Sequence, residues 1–258
     1  MVWKKSWLGF ATVSVALPLG LAIAPMALSN TSTKQFANSS WQISQAFQSP
    51  NRSAPPGAAG GGTRGGACLL EDGKPQAAFV PLIPKGQIGL TLSQYPTFLI
   101  YVPQGPKREV SLMLLHRDGE REKEVASVIF TSPGQPGIIS VSLPKTPENQ
   151  LKVNQLYRWE MEVVCDPSDP SGNMSVDGWI QLVPRNGALA NLGTNSTPAD
   201  YAKNGIWYEA VASAAKLRRD KPNDPKVIAD WEKLLNSVGL NTVVKAPFVD
   251  CCTVEQNN

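Results

Sequence analysis

The sequence predicts a mainly β protein, an antiparallel β-sandwich of immunoglobulin-like size followed by a C-terminal αα-hairpin. Between about residues 87 and 184, apolar and polar residues alternate with a period of two, in short runs separated by turn residues. The chain carries 21 glycines and 22 prolines, more punctuation than a helical bundle or coiled coil tolerates. From residue 198 the period becomes that of an amphipathic helix. With 258 residues, 42% of them hydrophobic, there is material for one large or two small cores, at ~150 residues per domain.

The first segment, 1–29, reads as a secretory signal peptide. Lys4 and Lys5 form a basic start, no charge occurs from Trp7 to Ala24, and Ala27-Leu28-Ser29 offers small residues for cleavage after Ser29. An uncleaved anchor is the alternative, but Pro18, Gly9 and Gly20 make a poor spanning helix. The expected mature protein is soluble, exported to the periplasm or the extracellular space, and has peripheral or no membrane contact. Cleavage removes Lys4 and Lys5 from a net charge of only +3, which leaves no basic signature for nucleic acid.

Residues 30–67 are rich in Ser, Asn, Gln, Gly, Ala and Pro and read as a flexible linker. Its glycines (Gly57, Gly60, Gly61, Gly62, Gly65 and Gly66) lack the Gly-Lys-Ser/Thr of a phosphate loop. The sandwich is expected over 68–190, with strands at 87–93, 97–103, 109–116, 122–131, 137–143, 156–165 and 174–183. Val110, Leu112 and Leu114 share one face of their strand, and Ile139, Val141 and Leu143 share one face of theirs. Asp118-Gly119 between two such runs is a hairpin signal. Tyr157, Trp159, Met161, Val163 and Cys165 alternate with Arg158, Glu160 and Glu162, which places the cysteine on the buried face.

The helical hairpin is expected over 197–240, followed by a tail, 241–258. Thr197-Pro198 supplies an N-cap and a proline in the first turn of a helix running past Trp207 and Tyr208 to Arg218 and Arg219. Asp224-Pro225 repeats the signal, and Val227, Ile228, Trp231, Leu234, Leu235 and Val238 form one apolar stripe stopped by Gly239. The pair resembles one tetratricopeptide unit, but a solenoid needs ~3 repeats. The hairpin is therefore expected to pack on the sandwich.

Four cysteines in an exported chain make disulfides permissible. A Cys68–Cys165 bridge would pin the N-terminal segment to the sheet, closing a loop of about 100 residues for ~4–5 kcal/mol in the chain-entropy model. Two unpaired buried thiols are the bland alternative, and the compartment favours the bridge. The adjacent Cys251 and Cys252 are not expected to bond each other, because so small a ring strains the peptide between them. No Cys-x-x-Cys occurs, so zinc and thioredoxin chemistry lack support.

Candidate chemistry is sparse. The single histidine, His116, ends a strand beside a turn and has no nucleophile elbow to serve. Asp166, Asp169, Asn173 and Asp177 offer oxygen ligands for calcium, but at spacings unlike an EF-hand and among turn prolines. Glu160 and Glu162 share a solvent face with Arg158, which fits a cross-strand ion pair better than a glycosidase pair. Among seven tryptophans only Trp41 and Trp179 are expected to be exposed enough to stack on a sugar.

Five segments carry a resemblance: Gly60-Gly61-Gly62-Thr63-Arg64-Gly65; Gly89-Leu90-Thr91-Leu92-Ser93-Gln94-Tyr95-Pro96-Thr97-Phe98; Tyr157-Arg158-Trp159 through Val164-Cys165-Asp166-Pro167; Gly178-Trp179-Ile180-Gln181; and Asn204-Gly205-Ile206-Trp207-Tyr208-Glu209-Ala210. In this order they resemble a cyanobacterial family of exported proteins known only as a domain of unknown function. The resemblance covers about residues 60–245. It implies a bacterial exported protein in which Cys68 and Cys165 fall in family motifs, in support of their bridge, while Cys251 and Cys252 lie beyond them. It brings no catalytic residue, metal site or cofactor.

The expected function is a non-enzymatic binding or assembly module of the cell envelope, with an envelope protein as the kind of partner it admits. A carboxylate-based hydrolase of envelope glycans and a periplasmic ligand-sensing domain are the alternatives. The hydrolase requires two carboxylates facing each other ~5–10 Å apart.

Overall fold

The structure is a computed structural model and describes residues 46–55, 70–71, 74–75 and 79–252. The expected signal peptide, Trp41, Cys68 and the end of the tail from 253 lie outside the described residues. All seven expected strands are present, as β4 (Ile88–Thr91), β5 (Thr97–Val102), β6 (Glu109–Asp118), β7 (Arg121–Thr131), β8 (Gly137–Ser142), β9 (Leu156–Val163) and β10 (Met174–Leu182). Short strands β1 (Leu70–Glu71), β2 (Lys74–Pro75) and β3 (Val80–Pro81) precede them.

Two main sheets form, a five-stranded one in the order β4-β10-β9-β6-β7 and a three-stranded one in the order β3-β5-β8; β1 pairs with β2. The larger sheet corrects the expectation of a purely antiparallel fold, because β4 runs parallel to β10, with Ile88 opposite Trp179. Parallel pairing needs a long crossover. The whole stretch between β4 and β10 supplies one, placing the first strand of the period-two region beside the last.

Alternation in the sequence becomes burial. In β9, Tyr157, Trp159, Met161 and Val163 are buried while Leu156, Arg158, Glu160 and Glu162 are half-buried. The hairpin joining β6 to β7 turns through Gly119 (φ 58°) and Glu120, with Asp118 opposite Arg121. Glycine at the first central position is what a type II′ turn requires. Both sheets contribute to one continuous apolar core, in which the Phe98 and Trp159 rings lie 5.2 Å apart between centroids. Each fully buried large apolar side chain of this kind contributes ~1.5–3 kcal/mol.

The C-terminal region holds three helices where the sequence suggests two: α1 (Pro198–Lys203), α2 (Trp207–Asp220) and α3 (Pro225–Asn236). Gly205 breaks the first expected helix. Its φ is +72°, and Ile206 N–H reaches back to the Tyr201 carbonyl, the signature of a left-handed helix stop. The caps are as expected. Thr197 and Asp200 form a capping box, and the Asp224 side chain accepts from Lys226 N–H and Val227 N–H.

Two segments outside the strands and helices are tied to the fold. Residues 46–55 fall within the stretch read as a linker. There Phe47 meets Trp207 edge-on at 4.9 Å, Gln48 N–H bonds the Ala202 carbonyl, and Ser53 bridges to Gln87. An aromatic and a run without glycine make this part of the segment able to pack. At the other end, Ile138 N–H donates to the Pro247 carbonyl and Val249 N–H to the Ile138 carbonyl, so the tail adds to the edge of β8. That contact explains why Ile138 is fully buried beside Ile139, against simple alternation.

Candidate functional site

Four of the five motif segments meet at Tyr208, near the start of α2. Its hydroxyl accepts the indole N–H of Trp159 at 2.7 Å and reaches the Trp179 carbonyl at 3.4 Å. Its ring packs edge-on to Phe98 at 5.8 Å and sets its Cε2 against Gly89, where a Cβ would stand 2.5 Å from the ring. Gly178 is needed for the same reason, since a Cβ there would lie 2.8 Å from the Trp159 indole. Burial pushes the Tyr208 hydroxyl pKa well up. This cluster is packing, and it fixes the start of α2 on the sheets.

The next residue on the helix faces outward from that cluster. Glu209 Oε1 accepts from the Thr91 hydroxyl at 2.7 Å and from Leu92 N–H at 2.9 Å. Its other oxygen, Oε2, is buried and makes no hydrogen bond. Burial raises the Glu209 pKa, against the lowering effect of the Thr91 and Leu92 donors. Glu209 stands in the first turn of α2, where the helix dipole favours negative charge.

Leu92 is also held from its other side. Arg185, just beyond β10, donates from Nη2 to the Leu92 carbonyl at 3.5 Å and from Nη1 to the Leu192 carbonyl. Glu209 and Arg185 thus bracket one residue. They line an open cleft of about 660 Å³ together with Ser93, Gln94, Tyr95, Val153, Leu182, Val183 and Pro184. Among the described residues lining it, Arg185 is the only cation and Glu209 the only carboxylate. The chemistry available is recognition, an anion on the guanidinium and a hydrogen-bond donor for Glu209.

The sequence does not single out Glu209 or Arg185. A signal for Glu209 exists: it is the one charge in Ile206-Trp207-Tyr208-Glu209-Ala210-Val211, where the helix is otherwise apolar. Arg185 has no such local signal, because its role arises from the crossover that brings residue 92 beside residue 185.

The residues weighed from sequence have other occupations. His116 packs against Tyr157 with ring centroids 5.3 Å apart and planes tilted by 52°. Arg158 pairs with Glu122 and Glu160, each at 2.8 Å, and Glu122 also meets Arg117; the cross-strand bridges are thus made by Glu122, while Glu160 meets Arg158 within its own strand. Glu162 accepts from Asn173 instead. Those arginines hold the Glu122 carboxyl below its ordinary value, outweighing burial, which taken singly is the largest influence and acts the other way. Asp166 and Asp169 close turns on Ser168 and Ser171, Asn173 accepts from Cys165 N–H, and Asp177 is buried on β10. Among the described residues no group of three or more metal-ligating side chains comes together.

Two expectations are corrected. Trp179 is only 2% exposed, with the Arg117 guanidinium over its ring at 5.6 Å, so it is no sugar platform. It lies in a strand with neighbours on both sides, where even the outward face is covered. Cys251 and Cys252 are bonded to each other, with Cys252 at φ +71°. Cys165 is half-buried at the end of β9 and is not a free thiol.

Compared with known proteins, residues 59–248 match the model of a family described as a domain of unknown function. No curated protein matches the chain.

Proposed function

The chain belongs to the family DUF928, and from that premise we propose that it is an exported, non-enzymatic binding or assembly module of the bacterial (by resemblance, cyanobacterial) cell envelope. Its two sheets are read as the layers of a β-sandwich of immunoglobulin-like size, with Cys68 and Cys165 bridged. Export rests on the basic, apolar and small-residue order of 1–29. After cleavage the protein needs no further anchor, and no helix among the described residues is long and apolar enough to cross a membrane.

One observation carries the choice of binding over hydrolysis. The cleft between Arg185 and Glu209 holds one carboxylate among its described residues, and glycoside hydrolysis of the ordinary kind needs two. In a second cleft, between α2 and α3, Asp220 and Asp230 pair with Lys216 and Lys226 and Asp224 caps α3. Among the described residues the large apolar side chains that are exposed are Ile129, Val153 and Leu217, and the cleft is taken as the surface that selects a partner.

Fractionation combined with intact mass tests the reading. The protein is expected in the envelope or the medium, shortened by residues 1–29, and gentle cross-linking in the envelope fraction should recover a partner. A cytoplasmic, full-length product, or an envelope protein that captures nothing, overturns it.

A further inference from the structure

The cleft contains an unmet demand: Glu209 lines it, and the Oε2 of that side chain is buried and unpartnered. Burying such an oxygen without a donor costs ~1–3 kcal/mol or more, and a ligand N–H would meet that need. Across Leu92 stands Arg185, an exposed guanidinium held in place by two backbone carbonyls. Its remaining N–H groups form the planar fork that suits a carboxylate. The same cleft has an apolar part in Val153, Leu182 and Val183, of which Val153 is 48% exposed.

We infer that the cleft takes the free C-terminus of a polypeptide ending in an apolar residue, with its carboxylate on Arg185, its last amide N–H on Glu209 Oε2 and its last side chain against Val153, Leu182 and Val183. The inference rests on the binding-module reading and names what the module binds. A terminal residue carries a carboxylate and an amide N–H on the same Cα, beside its side chain, which matches the three features of the wall. A fatty acid lacks the donor, an internal peptide segment lacks the charge, and a wall peptide ending in alanine offers only a methyl group to the apolar side.

The test uses the purified full-length chain and fluorescence anisotropy with labelled peptides ending in Ala-Val-Leu. The free acid is expected to bind saturably and its C-terminal amide at least about tenfold more weakly, the loss of a charged hydrogen bond. Arg185→Gln should cost a similar factor. Val153→Glu, at a half-exposed position that leaves folding intact, should do the same with an unchanged urea midpoint. N-methylating the last amide should weaken binding to the native protein and not weaken it further in Glu209→Gln. Equal binding of acid and amide, indifference to both Arg185→Gln and Val153→Glu, or no saturation at ~1 mM overturns the inference. So does tighter binding of diacetyl-Lys-D-Ala-D-Ala, which would make the ligand a wall peptide. If the peptides fail while Val153→Glu still abolishes capture of an envelope partner, the ligand assignment falls and the module reading stands.

Discussion

The Trp159 indole donates its N–H to the Tyr208 hydroxyl across 2.7 Å in the interior, joining β9 to α2 over 49 residues of sequence. Both rings also touch Phe98 of the three-stranded sheet. A single side chain of α2 is thereby bonded or packed to both sheets, and the position of Glu209 one residue later follows from it.

Tyr208→Phe keeps the ring and deletes the acceptor. The Trp159 N–H is then buried without a partner, an expected loss of ~1–3 kcal/mol. Urea unfolding followed by tryptophan fluorescence measures it. A midpoint equal to that of the native chain would mean that the bond contributes nothing. Gly89→Ala drives a methyl group into the same ring and should destabilise by ~1–3 kcal/mol through overpacking.

Gly205→Ala tests the helix break. A side chain at φ +72° costs ~1–2 kcal/mol, and a Cβ there would also lie 3.0 Å from the Gln48 carbonyl. The variant should lose stability by at least that amount in chemical denaturation. A gain in both stability and helical circular dichroism would show that α1 and α2 prefer to be one helix.

What could be read in the sequence divides along physical lines. Strands such as β9 are legible because alternation is local, and the caps at Thr197 and Asp224 because capping needs only the next three residues. The parallel pairing of Ile88 with Trp179 is not, since nothing local records which distant edge a strand joins. The covering of Trp179 and the meeting of Arg185 with Leu92 follow from that pairing and are hidden with it. Gly205 is visible as a glycine, but its left-handed φ depends on residues 47–50 and on the Tyr201 carbonyl. The Cys251–Cys252 bond runs against the general rule for adjacent cysteines, and the residue types alone do not announce it.

The cysteines predict a mass pattern. Non-reducing digestion should return the peptide containing Cys251 and Cys252 lighter by two hydrogens than its reduced form and not attached to any other peptide. The peptide of Cys165 should appear joined to that of Cys68, as proposed above. Alkylation of the native protein should add nothing. A Cys251 or Cys252 peptide linked to Cys165 would reassign the pairing.

The sign of the pH dependence at Glu209 is set by its surroundings. Burial raises its pKa in the folded chain above the ordinary 4.5, while the Thr91 and Leu92 donors offset part of that rise. The folded protein therefore holds this proton more tightly than the unfolded chain. The contribution of the protonated group to stability is complete below pH 4.5 and is lost as pH rises through the folded pKa. Glu209→Gln cannot titrate, so it removes this slope and no other. Urea unfolding of both proteins across pH 4 to 8 (roughly the range in which a buried carboxyl titrates) should show their stability difference shifting in favour of Glu209→Gln as pH rises. Other titrating groups are common to both proteins and cancel in the difference. A constant difference would mean that the carboxyl ionises as easily inside as outside. A shift in favour of the native chain at high pH would mean that the Thr91 and Leu92 donors outweigh burial.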